Sequence, residues 1–258
     1  MEKVAVFALN GKKKEEIDAP SIFETPLRFD LIRRAVKVAQ SVKKQSQGRD
    51  PLAGKRMSVE NWQTGYAVAR VPRTKGSGFP KARNGAFVPQ AVGGHLAFAP
   101  TTAKNVHIKI NKQEKKLALH SAVAATSKME TVKERGHKLE NVKSFPLVID
   151  DKIQTVKKTQ KIKEILVSMG LWDDVMRAKN YQKLRPGKGR LRGRKYKRKT
   201  GPLLVIKEDF GIAKASRNIA GIDVVDIRRL SVENLAPGAM PGRLVLWTQS
   251  AFNSLSKM

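Results

Sequence analysis

The sequence predicts an α/β fold: an open, mostly parallel sheet flanked by helices, with a long extended non-globular loop inserted in it. Three observations predict it. Short Val/Ile/Leu runs of strand length alternate with helical patterns. Residues 43–105 hold no helical or strand period for more than a few positions. The positive charge is concentrated in two segments rather than spread along the chain.

Taken in order, VAVFAL (4–9) reads as a strand and is followed by the turn pair Asn10-Gly11. From Asp30, a plausible N-cap, Leu31, Ala35, Val38, Ala39 and Val42 recur at helical spacing. Asn111 precedes a second helix whose Ala118, Ala122 and Ala125 allow a neighbour to approach closely. FPLVID (145–150) is a strand-length apolar run. An amphipathic helix over Thr155–Met169 follows it, ended by Gly170, with Asp151 read as a helix cap. PLLVIK (202–207), IDVVDI (222–227) and RLVLWT (243–248) supply three more strands, each followed by a helical stretch. Their continuous apolar character suits parallel strands covered on both faces.

Residues 43–105 contain eight Gly and five Pro, and a structureless loop this long is rare inside a compact domain unless it is functional. Some 30 residues each way reach at most ~100 Å, against a radius of gyration of about 18 Å for a domain of this size. The expected organisation is therefore one globular α/β domain, 1–42 with 106–258, carrying 43–105 as an arm.

The net charge of +30 comes from 52 Lys+Arg against 22 Asp+Glu. Residues 43–110 hold twelve basic and two acidic residues, and 175–207 hold thirteen and none, while the rest is nearly balanced. A chain this basic needs a polyanion, and nucleic acid is the commonest. In RPGKGRLRGRKYKRK (185–199) nine of fifteen residues are cationic. The arm interleaves Arg49, Lys55, Arg56, Arg70, Arg73, Lys75, Lys81 and Arg83 with Trp62, Tyr66, Phe79, Phe87 and Phe98. Cations suit phosphates, rings suit unpaired bases, and glycine permits close backbone approach.

Other chemistries find little support. With no cysteine, disulfides and thiolate metal sites are excluded. The start MEKVAVFALNGKKKEE does not fit a signal peptide, and no run approaches the ~18 apolar residues of a membrane span. A cytoplasmic protein is expected, with no membrane partner. Gly187-Lys188-Gly189 lacks the Ser or Thr and the preceding strand of a phosphate loop, and its glycine spacing is wrong for a dinucleotide fingerprint. His95, His107, His120 and His137 show no metal spacing; His120 reads as a packed residue and His95 as an RNA contact. Asp150-Asp151 and Asp173-Asp174 come with no nucleophile or base. An RNA-modifying enzyme would need a cofactor crevice for which no residues are placed. No enzyme activity, metal or cofactor is expected.

FETPLRFDLIRRAV (23–36), SAVAATS (121–127), ERGHKLE (134–140), LRPGKGRLRGRKYKR (184–198), RNIAGIDV (217–224) and LAPGAMPGRLVLWTQSAF (235–252) occur in that order. Together they resemble the family of large-subunit ribosomal protein number four, across essentially the whole chain. Because eukaryotic members carry a long C-terminal extension, the resemblance is to the archaeal type. It implies a structural constituent of the large ribosomal subunit that binds and organises ribosomal RNA, with neighbouring ribosomal proteins as partners. It also implies that the loop threads RNA and helps line the nascent-peptide exit tunnel, its innermost part near 68–89, where it would meet the nascent peptide. The RNA-binding residues so expected are Arg49, Lys55, Arg56, Trp62, Arg70, Arg73, Lys75, Phe79, Lys81, Arg83, His95 and Lys104 on the arm. On the body they are Arg185, Lys188, Arg190, Arg192, Arg194, Lys195, Tyr196, Lys197, Arg198 and Lys199. Two departures stand out: Ala239, where the family more often has a second Gly after Gly238, and Gln249 in place of Glu.

Overall fold

The structure, a computed structural model, describes residues 3–257. Met1, Glu2 and Met258 lie outside it, and with them the acidic start that counted against a signal peptide. Contacts divide the chain into two compact units, Met1–Gln40 with Ile108–Met258 (the body) and Ser41–His107 (the arm).

The chain opens with β1 (Lys3–Phe7), whose Asn10-Gly11 turn leads into β2 (Lys13–Asp18) and then α1 (Phe29–Val42). The arm contributes β3 (Val59–Asn61) and β4 (Pro72–Thr74). Helices α2 (Lys112–Ser127) and α3 (Met129–Glu134) lead to β5 (Leu147–Ile149), α4 (Thr159–Ser168) and α5 (Trp172–Asn180). The basic stretch holds β6 (Lys183–Leu184), α6 (Lys188–Leu191) and β7 (Tyr196–Lys197). The chain closes with β8 (Leu203–Ile206), α7 (Ile212–Ser216), β9 (Asp223–Asp226), α8 (Val232–Leu235), β10 (Val245–Thr248) and α9 (Gln249–Ser254).

Six strands form one sheet in the order β2-β1-β5-β10-β8-β9. All neighbours are parallel except β1 and β2, which pair as an antiparallel hairpin. The mixed, mostly parallel sheet is the expected α/β architecture. β2 lacks an apolar face because its sequence is KKEEID, and it serves as a charged, exposed edge strand.

Period-2 alternation divides the apolar residues between two cores. Val4, Val6, Val148, Leu203, Val205, Val245 and Trp247 point to one face and meet α1, α2, α8 and α9. Phe7, Leu147, Ile149, Leu204, Ile206 and Leu246 point to the other and meet α4, α5 and α7. Trp247 is fully buried, with Phe23 edge-on to it at 6.4 Å.

Three local expectations are corrected. α1 begins at Phe29, so Asp30 lies in its first turn rather than capping it; the Arg28 guanidinium, 2.8 Å away, holds the Asp30 carboxyl at about 2. The buried face of α1 is Ile32, Ala35 and Val36, whereas Val42 is exposed. The helix expected over Thr155–Met169 is two pieces, a 3-10 turn Asp151–Thr155 and α4, separated by Val156–Lys158. Val156 packs on the second core in extended conformation, which breaks the helix there.

Capping is also redistributed. Asp150, not Asp151, caps the 3-10 turn through the Lys152 N–H at 3.4 Å, and it pairs with Lys14 at 3.1 Å. Asp151 instead accepts from the Ser250 N–H (3.0 Å) and hydroxyl (2.7 Å), capping the first turn of α9 from the end of the neighbouring strand. Gly170 does end α4: its φ is +75°, and a Cβ there would lie 1.8 Å from the Asn141 carbonyl oxygen.

Both family departures have structural counterparts. Ala239 has φ +66°, the left-handed region that favours glycine. Gln249 donates to Glu15 at 2.7 Å, a contact that a Glu would turn into repulsion.

Candidate nucleic-acid interface

On the body, residues 183–199 fold back as a small antiparallel hairpin. β6 pairs with β7, and the Arg185 N–H donates to the Lys195 carbonyl at 2.8 Å. Between them Gly187, with φ +78°, leads into the single turn of α6. The segment has almost no apolar content, so the backbone bonds define its shape and the side chains are left outward. Lys188, Arg190, Arg192, Arg194, Lys195, Lys197, Arg198 and Lys199 are all exposed, and none has an acidic partner among the described residues. The absence of counter-charge keeps each one available to a polyanion. Two tyrosines are interleaved: Lys195 and Arg198 approach the Tyr196 ring at 5.5 and 5.9 Å, and Lys199 lies 4.2 Å from the Tyr181 ring.

The hairpin is anchored by a buried polar cluster that no sequence motif announces. Asp174 accepts from His137 Nδ1 at 2.9 Å and from Arg177 Nε at 2.7 Å. Arg177 then donates to the Thr200 carbonyl at 2.9 Å, immediately after the hairpin. Burial pushes the His137 pKa down, against the pull of Asp174, so the imidazole is neutral at neutral pH. Burial works to raise the Asp174 carboxyl, but the hydrogen bonds from His137 and Arg177 outweigh it, and the net shift is downward. One signal was present in the sequence. Asp174 shares a helical face with the apolar Val175 and Ala178, and an acid on a buried face needs a partner.

Arg135 ties down the loop before β10 instead, donating to the Pro237 and Pro241 carbonyls at 2.8 and 3.5 Å. Burial first, then the nearby Arg243 and Arg177, bring its pKa down to about 10.

The arm is more ordered than a bare extended loop. β3 pairs with β4, and Arg73 bridges on to Gly85, so three passes of chain run together. Yet only Ser41, Thr74 and Ala86 are buried within it. Arg73 acts as a pin: it donates to the Arg83 and Ala69 carbonyls at 2.9 and 3.2 Å and lies 5.4 Å over the Trp62 ring. Trp62 also meets Tyr66 at 5.3 Å and donates to Glu60 at 3.2 Å. Arg56 pairs with Asp50 at 2.7 Å. His95 Nδ1 faces the Phe87 carbonyl, and its ring lies 5.1 Å from the Phe87 ring.

The candidate residues on the arm therefore separate into two groups. Trp62, Arg73, Arg56 and His95 are engaged within the arm. Arg49, Lys55, Arg70, Lys75, Lys81, Arg83 and Lys104 are exposed without an ion pair among the described residues, and Phe79 is exposed. Phe98, an arm aromatic not counted among the expected contacts, is 96% exposed. Among the described residues no group of His, Asp or Glu could hold a metal ion, and no helix is long and apolar enough to cross a membrane.

The model of the ribosomal protein L4/L1 family matches residues 17–258. The chain is similar to a protein of Methanosphaera stadtmanae named large ribosomal subunit protein uL4, 46% identical over 258 residues, which are all of this chain and 98% of the relative. A protein of the same name from Methanopyrus kandleri is 47% identical over 98% of this chain and 97% of its own length. One from Saccharolobus islandicus is 43% identical over 96% of this chain and 91% of its own.

Proposed function

The chain belongs to the ribosomal protein L4/L1 family, and on that premise we propose that it organises large-subunit ribosomal RNA through two cationic surfaces. The family is structural and not enzymatic, of archaeal type here, and its members are parts of the large ribosomal subunit in the cytoplasm. In this reading the body, 1–42 with 106–258, is the self-sufficient domain, and 43–105 is the element that threads RNA. The exposed, uncompensated cations of 185–199 carry the reading, because a polyanion supplies at fixed positions the counter-charge that the protein itself does not.

The residues assigned to RNA on the body are Arg185, Lys188, Arg190, Arg192, Arg194, Lys195, Tyr196, Lys197, Arg198 and Lys199. On the arm, Arg49, Lys55, Arg70, Lys75, Lys81, Arg83 and Lys104 meet phosphates and Phe79 meets a base. Trp62, Arg73, Arg56 and His95 shape the arm that presents them. Residues 68–89 form the part nearest the exit tunnel and the nascent peptide.

The test is RNA binding across ionic strength and incorporation into the subunit. Changing Arg190, Arg192, Arg194 and Lys195 to Gln is expected to make the log–log salt slope shallower by about 3 and to weaken incorporation. Deleting 43–105 is expected to leave the body folded while preventing assembly. An unchanged slope together with normal incorporation would end the reading.

A further inference from the structure

A cleft on the body holds charge that neither basic segment explains. It measures about 690 Å³ and opens where the chain leaves β1 and β5, between Leu9-Asn10, the 3-10 turn after β5 and one face of α4 along its length. Lys152, Lys157, Lys158 and Lys161 line it, with Glu164 as the one acidic residue of the wall. The four lysines lie within ten residues of sequence, 152–161, and the fold turns them around one concave wall.

The lysines around this cleft divide sharply by use. Lys14 pairs with Asp150, Lys143 donates to the Gly11 carbonyl, and Lys163 lies 5.2 Å from the Trp172 ring. The four in the cleft are exposed and have no acidic partner among the described residues. Asp150 is engaged by Lys14 and the Lys152 N–H, and Asp151 by Ser250 and Gln154, which leaves Glu164 as the one acidic group of the wall set against four lysines. The stem of Lys157 is packed, since a Cβ on Gly211 would sit 3.1 Å from its Cγ. Four like charges held around one concave wall repel each other and focus a positive potential into the cleft.

We propose that this cleft is a third RNA-contact site, one that takes the phosphodiester backbone and does not read bases. Ammonium groups are point charges suited to phosphate oxygens, and the wall carries no aromatic ring on which a base would stack. Such contacts fix position without reading sequence. The inference rests on the proposed function, because the polymer that fills the two basic segments supplies the phosphates here.

The full-length protein is titrated with transcribed large-subunit ribosomal RNA over a range of KCl concentrations. The fourfold variant Lys152→Gln, Lys157→Gln, Lys158→Gln, Lys161→Gln is expected to make the salt slope shallower by about 3, at roughly 0.7–0.9 for each phosphate no longer neutralised. The matching fourfold Arg variant restores the slope. If wild-type binding is steep and the Gln variant matches it in slope and affinity, the cleft is not an RNA site, although the proposed function stands. An acidic protein partner would be the alternative in that case. If wild-type binding is itself flat, the proposed function falls and the cleft inference with it. Should the fourfold variant lose its melting transition, Lys158→Gln and Lys161→Gln taken singly give the same reading, each expected to lower the slope by roughly 0.7–0.9.

Discussion

The body and the arm are built from one chain by different means. In the body, β5, β8 and β10 are buried along their whole lengths, and two apolar cores cover both faces of the sheet. In the arm Ala86 is the one buried hydrophobic residue among those described, and shape comes from backbone hydrogen bonds, turns and the Arg73 pin. A core consumes side chains, whereas a backbone-defined structure leaves them free. The arm can therefore present cations and rings along most of its length, but its own burial gives it little stability.

The largest effect that tests this contrast is removal of a core side chain. Trp247 is fully buried between α9 and the sheet. Trp247→Ala is expected to cost about 3–5 kcal/mol, a large part of the ~5–15 kcal/mol that holds a typical domain. Thermal melting followed by near-ultraviolet circular dichroism reads it. A loss below about 1 kcal/mol would mean that the body is not held by its core.

Next comes the polar cluster beneath the basic hairpin. Asp174→Ala leaves Arg177 and His137 without their acceptor, and the expected loss is about 3 kcal/mol. The pH dependence has a definite sign. His137 has a folded pKa below its ordinary 6.5, so its contribution is complete above 6.5 and is lost as pH falls toward the depressed value. Asp174 is likewise held below 3.8, so its contribution persists above the ordinary carboxylate range and is lost as pH falls through its lowered pKa. Denaturant melts at a series of pH values should show stability declining first below 6.5, and His137→Gln should remove that first stage.

What the sequence made legible follows the same division. The strands LVI, LLVI and VLWT declared themselves because a strand buried on both faces is a continuous apolar run. β2 did not, since KKEEID shows no period and becomes a strand only because β1 offers it an edge. Asp150 and Asp151 were distinguishable as caps only through α9, about 100 residues further along. The His137–Asp174 contact spans 37 residues, and no local pattern links them. In the arm the cationic positions were readable from composition, but their engagement was not. Arg73 and Arg70 look alike in sequence, and only the fold makes Arg73 a pin on two carbonyls and Trp62.

A smaller effect, confined to the arm, comes from the place where two passes of chain nearly touch. A Cβ on Gly94 would lie 1.9 Å from the Val88 carbonyl oxygen, and one on Gly54 would lie 2.4 Å from the Gly94 carbonyl carbon. Gly94→Ala must displace backbone, at an expected cost of about 1–3 kcal/mol to the arm's local structure. Amide exchange should quicken for residues such as His95 and Ala91, whose N–H groups donate to Phe87 and Val88. The melting transition of the body should move by less than about 0.5 kcal/mol. A concerted loss in both units would contradict the separation drawn between them.

The smallest effect separates structure from recognition at one ion pair. Arg56 and Asp50 are 2.7 Å apart with side chains 65% and 40% exposed, and such pairs contribute no more than about 1 kcal/mol. Asp50 has a second role, accepting the Leu52 N–H at 3.0 Å, which an asparagine oxygen can take over. Asp50→Asn should therefore barely change stability, while releasing Arg56 from its only acidic partner among the described residues. If the arm meets phosphates, this variant binds ribosomal RNA more tightly at low salt, and its slope is steeper by up to about 0.9. Removing an acid from a surface that repels RNA would strengthen binding without adding a contact, and the slope would then stay where it was. Tighter binding with a steeper slope marks Arg56 as a reserve cation that the fold holds back, and weaker binding would mean that Asp50 itself belongs to the interface.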